Sequence, residues 1–188
     1  CIYLDEEDIL NSIQQWIRED QSGFLVNTLV QPNRSITDMF SALDKYKHLS
    51  NQGLELSNAR KQSVQMSLIR RLLSERERYI NTAKKYIEID DFYDLSSRMI
   101  YQSDSYGKLG GKGSGIFLAM QIIQKALRNQ DTFKKVKTPK TWYMVSDTVF
   151  SFIEHNSLEE IIEHKYLNIG EVRQEYPYIV HVFKNTPL

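Results

Sequence analysis

Five of the chain's eight glycines fall between residues 107 and 115, where they surround Lys112. They are Gly107, Gly110, Gly111, Gly113 and Gly115, and an apolar run with helical spacing follows them. Glycine lets backbone N–H groups approach an anion closely, while a helix N-terminus and a lysine add positive charge. These residues are suited to holding phosphate, so nucleotide binding is the first hypothesis.

The glycine stretch differs from the two most familiar phosphate loops. A Walker loop has four residues between its first glycine and Gly-Lys-Ser/Thr, but only three separate Gly107 from Gly111, and Gly113 follows Lys112. The dinucleotide fingerprint follows a strand, whereas residues 102–106 are polar. The alternative is a glycine-rich hinge between two helical segments, with Lys112 solvated.

Composition excludes several classes of protein. Lys plus Arg and Asp plus Glu both number 24, so no global charge attracts nucleic acid or an anionic membrane. Cys1 is the only cysteine, which excludes an internal disulfide and a cysteine-based metal cluster. No apolar run approaches the roughly 20 residues that span a bilayer. We expect a soluble, cytoplasmic protein and, because the first residue is not methionine, a fragment.

The N-terminal segment is predicted to be a helix. An acidic first turn suits the positive end of the helix dipole, and apolar residues follow at helical spacing: Ile9, Leu10, Ile13, Trp16 and Ile17. We expect Gly23 to end this helix. The apolar residues 24–30 are too few to assign to a helix or a strand.

A second helix is expected to begin at a capping box. Ser35 and Asp38 have the required spacing, with Asp in place of Glu or Gln, and predict a helix to about Leu49. Gly53 is then expected to break the chain.

The region between Leu54 and Tyr106 contains neither glycine nor proline. One apolar stripe runs through its charged residues and consists of Ile69, Leu72, Leu73, Ile80, Ala83 and Ile87. This pattern predicts a long helix. Asp90 or Asp91 is expected to cap a further short helix, which carries Phe92, Leu95 and Met99.

A helix, a strand and further helices are predicted after the glycines. The first helix has an apolar stripe of Ile116, Met120, Ile123 and Leu127. After Pro139 comes a β-rich run, Thr141 to Val145, on which one of Trp142 and Tyr143 should face the core and the other solvent.

Helix caps can be assigned in the C-terminal part as well. Ser146 and Asp147 are expected to act as N-caps after the strand. Ser157 and Glu160 form a capping box for another helix, to about Lys165. Pro177 is expected near the start of the last helix.

Two segments carry a family resemblance. LGGKGSGIFLA, from Leu109 to Ala119, and TWYMVSDTVFSFIEHN, from Thr141 to Asn156, resemble the start of the nucleotide-binding domain of phosphoenolpyruvate synthases and pyruvate phosphate dikinases. In that family a GGK loop opens a helix, then a strand and a helix follow, within the first lobe of an ATP-grasp-like fold. The stretch from Ser67 to Ile100 resembles the helical lead-in of a phosphoenolpyruvate-synthase-like subgroup.

The resemblance implies ATP contacts at a few positions. The GGK lysine of the family contacts ATP phosphates and matches Lys112, while the loop backbone matches Gly110, Gly111 and Gly113. A flexible ammonium is suited to following a phosphate as it moves. Ser114 is a weaker candidate, because many relatives have alanine there. Lys108 is expected to be solvated.

The resemblance also implies parts that this sequence lacks. In the family, a later lobe supplies acidic metal ligands and an arginine in a VRSS-like segment, which does not occur here. Phosphoryl transfer depends on positioning and charge neutralisation. We therefore expect an inactive fragment of an ATP-dependent kinase, with the Mg²⁺ ligands outside this chain. The complete enzyme would pass a phosphoryl group from ATP through a histidine to pyruvate or a similar acceptor, and its remaining domains would be the partners.

The fold class expected is α+β and mostly helical. Residues 1–104 form a helical N-terminal region, and residues 105–188 form the incomplete first lobe of an ATP-grasp-like domain with a small sheet. The alternative is a non-catalytic, helical, partner-binding module in which the glycines are a hinge. The oligomeric state stays open, a homo-oligomer included.

Other polar residues are assigned structural or solvent roles. The four histidines are scattered and do not have metal-ligand spacing. The basic residues between Arg70 and Lys85 alternate with Glu75 and Glu77, which favours a solvated helix face over a nucleic-acid surface. No catalytic residue and no metal site is predicted in this chain.

Overall fold

The computed structural model describes residues 5–31, 33–51, 56–128, 139–163 and 166–186. The helices are α1 (Glu6–Val30), α2 (Ile36–Asn51), α3 (Asn58–Leu68), α4 (Glu77–Ala83), α5 (Ile89–Ser96), α6 (Gly111–Arg128), α7 (Ser146–His155), α8 (Glu159–Glu163) and α9 (Ile169–Asn185). The strands are β1 (Met99–Ile100) and β2 (Tyr143–Met144). The expected mostly helical α+β fold with a small sheet is confirmed at this level.

Helix α1 is longer than predicted. It continues through Gly23, so the expectation that this glycine ends the helix is wrong. Packing explains the difference: Leu25 is fully buried where α1 contacts α2 and α3, which outweighs the roughly 1 kcal/mol that glycine costs in a helix. The helix ends at Val30, and Gln31 after it has the extended backbone typical of a residue before proline.

The capping box predicted at the start of α2 is confirmed. The Asp38 N–H donates to Ser35 Oγ at 3.2 Å, and the Ser35 N–H donates to Asp38 Oδ2 at 3.3 Å. The helix ends at Asn51, close to the predicted end. The expected break at Gly53 lies outside the described residues.

The single long helix predicted between residues 54 and 106 is wrong. A π-helical turn, Ile69–Leu73, continues α3, and the chain then breaks before α4. At the break, Ser74 has an extended backbone, its N–H donates to the Ile69 carbonyl, and its Oγ accepts from the Arg76 N–H. A serine side chain that bonds a backbone N–H two residues later competes with helix formation. The apolar stripe is nevertheless buried: Ile69, Leu72, Leu73, Ile80, Ala83 and Ile87.

The short helix predicted at Asp90 and Asp91 is present as α5, but its N-cap is Glu88, so the expectation that Asp90 or Asp91 caps it is wrong. Its capping box joins Glu88 and Asp91, and the Glu88 N–H donates to Asp91 Oδ2 at 2.7 Å. Burial raises the pKa of the Asp91 carboxyl. Met99, however, lies on β1 and not on this helix.

The two strands pair in parallel, with Met99 opposite Tyr143 and Ile100 opposite Met144. Tyr143 is buried, whereas Trp142 is 56% exposed, so the predicted inward and outward pair is confirmed. Beyond the strands, an isolated antiparallel bridge joins Leu109 to Val145. This bridge places Leu109, within the glycine stretch, beside the residue that follows β2.

Helix α6 buries a different face from the one predicted. Phe117 lies between the rings of Phe92 and Tyr143, at centroid distances of 6.2 and 5.9 Å. Of the predicted apolar stripe, Met120 is buried, whereas Ile116 and Ile123 are exposed, so the stripe is not the face that α6 buries. The side chain of Leu127 lies outside the described part of the chain.

The C-terminal helices begin at other residues than predicted. Ser157 has a φ of 53° and ends α7, because its N–H donates to the Glu154 carbonyl and the Leu158 N–H donates to that of Ile153. Ser157 is therefore not the N-cap of α8. Helix α9 starts at Asn168 with its own capping box, so Pro177 lies inside the helix and not near its start.

Residues from both sides of position 104 contribute to one buried cluster, which extends from Leu25 to Val145. Strand β1, from the predicted region 1–104, also pairs with β2, from the predicted region 105–188.

Across the described segments, none of the helices combines the length and the apolar character needed to cross a bilayer.

Candidate functional site

The glycine stretch is held in place at Leu109, just before α6 begins. The Leu109 N–H donates to the Leu72 carbonyl at 2.9 Å, and Leu109 also forms the bridge to Val145. Gly110 then caps the helix, since its carbonyl accepts from the Ser114 N–H at 2.9 Å. Gly111 is the first helical residue. Most of the predicted phosphate loop is thus the first turn of α6.

Three N–H groups at this turn are available to a ligand. Within the described residues, the amides of Gly111, Lys112 and Gly113 donate no hydrogen bond to a protein acceptor. The first amides of a helix carry its positive partial charge and point along its axis. An anion placed there would satisfy groups that the fold leaves without a partner.

Lys112 is free to approach such an anion. Its side chain is exposed and makes no ion pair or hydrogen bond with any described residue. Lys108 differs, because its ammonium is bound to the carboxylate of Glu75. The expectation that Lys108 is only solvated is therefore wrong, and the ion pair lowers the pKa of Glu75.

The glycines fall into two groups by what the fold requires. A Cβ at Gly110, Gly111 or Gly115 would have nothing within 4 Å, and none of these residues has a positive φ. At Gly113 a Cβ would make only ordinary contacts, 3.7 Å from the Leu109 Cβ and 3.8 Å from Tyr143. Packing and backbone geometry thus do not explain glycine at Gly111, Gly113 and Gly115, whereas Gly110 occupies the cap position, where glycine is favoured over alanine.

Ser114 is turned into the protein. Ser114 is 3% exposed, and its hydroxyl donates to the carbonyls of Gly110 and Gly111 at 3.1 and 3.3 Å. Its own carbonyl accepts from the Tyr79 hydroxyl at 2.8 Å. The structure therefore gives the Ser114 hydroxyl an intrahelical role, whereas the other predicted positions, Gly110 to Gly113, lie together at the helix start.

A cleft of about 490 Å³ borders the first turn of α6. Its walls come from the α3–α4 break and from the glycine segment: Leu73, Ser74, Glu75, Arg76, Tyr79, Lys108, Leu109, Gly111 and Ser114. Burial strongly raises the pKa of the Tyr79 phenol, so it stays a neutral hydrogen-bond donor at physiological pH. Lys112 is not part of these walls.

Asp147 binds the segment that precedes the glycines. Its Oδ2 accepts hydrogen bonds from the N–H groups of Tyr106 and Gly107 at 2.9 and 2.8 Å. Both carboxylate oxygens also accept from Ser105 Oγ, at 2.8 and 2.9 Å. Burial tends to raise the pKa of Asp147, but these hydrogen bonds outweigh it and the pKa is lowered.

Asp147 and Ser146 do not cap α7 as predicted. The N-cap is Val145, whose side chain forms no capping hydrogen bond. Ser146 instead bonds Lys108: its N–H donates to the Lys108 carbonyl at 2.9 Å, and its Oγ accepts from the Lys108 N–H at 3.3 Å. Sequence reasoning missed this contact, because residues about 40 positions apart show no local pattern.

The residues described here do not form a metal site. No group of three or more His, Cys, Asp or Glu side chains in these segments is close enough to hold an ion. Mg²⁺ bound with a nucleotide would therefore need ligands from elsewhere, whereas the helix amides and Lys112 fit a phosphate.

No protein-family model, curated protein or solved structure matches this chain.

Proposed function

We propose that this chain is the ATP-binding portion of a phosphoenolpyruvate-synthase-like phosphotransferase. The first turn of α6 holds the phosphates through the amides of Gly111, Lys112 and Gly113, and the ammonium of Lys112 neutralises part of their charge. In the complete enzyme, a phosphoryl group would pass from ATP through a histidine to pyruvate or a similar acceptor.

One observation carries the proposal. Among the described residues, three helix amides without a partner and an exposed, unpaired lysine occur together, and the fold does not require glycine at Gly111, Gly113 or Gly115. Gly111, Gly113 and Gly115 lie inside α6, where glycine costs about 0.5–1 kcal/mol per position relative to alanine. Close approach of a ligand to the backbone accounts for that cost.

The alternative hinge hypothesis has less support. A hinge between helices would need these residues in the linker, but Gly111, Gly113 and Gly115 lie inside α6. Leu109, directly before them, is held by Leu72 and Val145. The described chain is therefore anchored where a hinge would have to bend.

The residues on this chain bind and orient phosphate but do not complete a catalytic site. Phosphoryl transfer needs cations around the transferred group and a positioned acceptor. Lys112 provides one such cation, and the described residues provide no metal-binding group. We expect no phosphoryl transfer by this chain alone, and the second wall of the ATP site to come from outside it.

The proposal can be tested by thermal unfolding with and without MgATP. We expect MgATP to raise the melting temperature of the wild-type chain in proportion to the logarithm of its concentration. Lys112→Ala should remove most of the shift. Lys85→Ala is the matched control, because Lys85 is also exposed and unpaired among the described residues but lies far along the sequence from α6.

Two results would overturn the proposal. One is a melting temperature that MgATP leaves unchanged in the wild type. The other is an equal loss of the shift in Lys112→Ala and Lys85→Ala, which would indicate nonspecific attraction of the nucleotide to lysines.

A further inference from the structure

We propose that Asp147 is a positioning residue for the candidate phosphate site, and that its carboxylate holds the segment Ser105–Gly107 so that the first turn of α6 begins in one place. This inference rests on the proposed function. Asp147 itself does not contact the phosphate; it acts through the backbone that leads to Gly110.

Asp147 holds the segment Ser105–Gly107 through several short hydrogen bonds. Two consecutive backbone amides and a serine hydroxyl converge on one carboxylate, at distances of 2.8 to 2.9 Å. Hydrogen bonds to an ionised acceptor are stronger than those between neutral groups. The residue lies in the first turn of α7, whose positive end further favours the carboxylate.

The residues between Gly107 and α6 are also held by hydrogen bonds. After Gly107, Lys108 is bonded to Ser146 through its carbonyl and its N–H. Leu109 is bonded to the Leu72 carbonyl. Gly110 is the next residue and caps the helix, so few free torsions separate Asp147 from the open amides.

The other end of the segment is anchored as well. The Ile36 N–H donates to the Ser105 carbonyl at 2.8 Å, and Thr37 Oγ1 donates to the Ser103 carbonyl at the same distance. The start of α2 and the start of α7 thus hold opposite sides of one loop. Removal of Asp147 would release its hydrogen bonds to Ser105, Tyr106 and Gly107, while those from Ile36 and Thr37 remain.

Gly107 shows how closely this contact is fitted. A Cβ at this residue would lie 2.3 Å from Asp147 Oδ1, whereas a Cβ at Gly110, Gly111 or Gly115 would meet nothing within 4 Å. Among these four glycines, only Gly107 is required by packing, and the group that requires it is the Asp147 carboxylate. The contact therefore depends on both partners.

The test compares three variants: Asp147→Ala, Asp147→Asn and Asp104→Asn. Asparagine keeps an oxygen that can accept from the two amides, whereas alanine removes every acceptor. Asp104 is the matched control, because it lines the same surface cleft as Asp147 but makes no hydrogen bond with a described residue. Each protein is studied by amide NMR without nucleotide and by titration with MgATP.

We expect Asp147→Ala to speed hydrogen exchange at Tyr106 and Gly107 and to shift the amide resonances of Gly110 to Gly113. Its Kd for MgATP should rise about tenfold, because the amides are no longer preorganised. Asp147→Asn should stay within about threefold of wild type, and Asp104→Asn should not differ from it.

The failures can be told apart. If the wild type binds MgATP and Asp147→Ala binds it equally well, the positioning role is wrong and the proposed function stands. If Asn and Ala both strengthen binding, Asp147 acts by charge repulsion, which also refutes positioning. If the wild type does not bind MgATP, the proposed function fails; unchanged Gly110 to Gly113 resonances in Asp147→Ala refute the positioning role even then.

Discussion

Gly107 and the carboxylate of Asp147 lie too close together for a side chain to fit between them. A Cβ at position 107 would lie 2.3 Å from Oδ1 and 2.7 Å from Cγ of Asp147, and 3.1 Å from its backbone nitrogen. The same carboxylate accepts the Gly107 N–H at 2.8 Å. The first glycine of the cluster is therefore a structural residue, unlike Gly110, Gly111 and Gly115.

Gly107→Ala should destabilise the protein. The added methyl group must displace the Asp147 carboxylate and break several of its hydrogen bonds, which costs about 2 kcal/mol. Gly115→Ala is the control and should be neutral or stabilising, because its Cβ meets nothing within 4 Å. Urea unfolding measures both, and an equal effect of the two substitutions would contradict the assigned contact.

Gly111→Ala should separate stability from ligand binding. Its Cβ would be free of contacts, so the free energy of unfolding should rise by about 0.5 kcal/mol as the unfolded chain loses entropy. At the same time the methyl group stands beside the open amides and should weaken MgATP binding. Urea unfolding measures the expected gain in stability, and calorimetry measures the expected loss of MgATP affinity in the same variant. An unchanged affinity would refute a ligand role for Gly111.

Ser157→Gly should stabilise the protein. Ser157 is the only non-glycine residue in the described chain with a positive φ, 53°, where a Cβ costs about 1 kcal/mol. The two backbone hydrogen bonds that end α7 do not involve its side chain and should persist. The melting temperature should therefore rise by a few degrees. A fall would indicate that the serine hydroxyl acts as a helix cap, as its spacing to Glu160 suggested.

The contribution of Asp147 should disappear in acid. Its pKa is lowered below 3.8 in the folded protein, so the carboxylate stabilises the fold above the unfolded pKa and ceases to do so as the pH falls through the folded value. The stability difference between wild type and Asp147→Asn should be constant above about pH 5 and shrink below about pH 4. Urea unfolding across this range measures it, and a difference independent of pH would show that the ionised form has no special role.

Local sequence signals predicted the elements that depend on neighbouring residues. The capping box of Ser35 and Asp38 was predicted correctly because both partners lie within one turn. Strand alternation predicted that one of Trp142 and Tyr143 faces the core and the other solvent, and the structure shows Tyr143 inward and Trp142 outward. The apolar spacing also predicted a helix after the glycines, but α6 begins at Gly111, so Gly111, Gly113 and Gly115 lie within it and not in a loop before it.

Long-range contacts explain what the sequence did not indicate. The apolar stripe around Ile69 and Ile80 continues across the break at Ser74, so its period alone predicted one helix where there are several. Asp147 has the residue type and position of an N-cap, but its carboxylate bonds a segment 40 residues earlier. A pattern read over one or two turns cannot show which of two possible partners a side chain binds.

The most direct test of the account is a titration of the wild-type chain with MgATP, followed through the backbone amide resonances. The amides of Gly111, Lys112 and Gly113 should show the largest shifts, should saturate together, and should respond in the same way to inorganic triphosphate. If these three resonances stay unchanged at millimolar MgATP, the first turn of α6 does not bind phosphate and the proposed function is wrong.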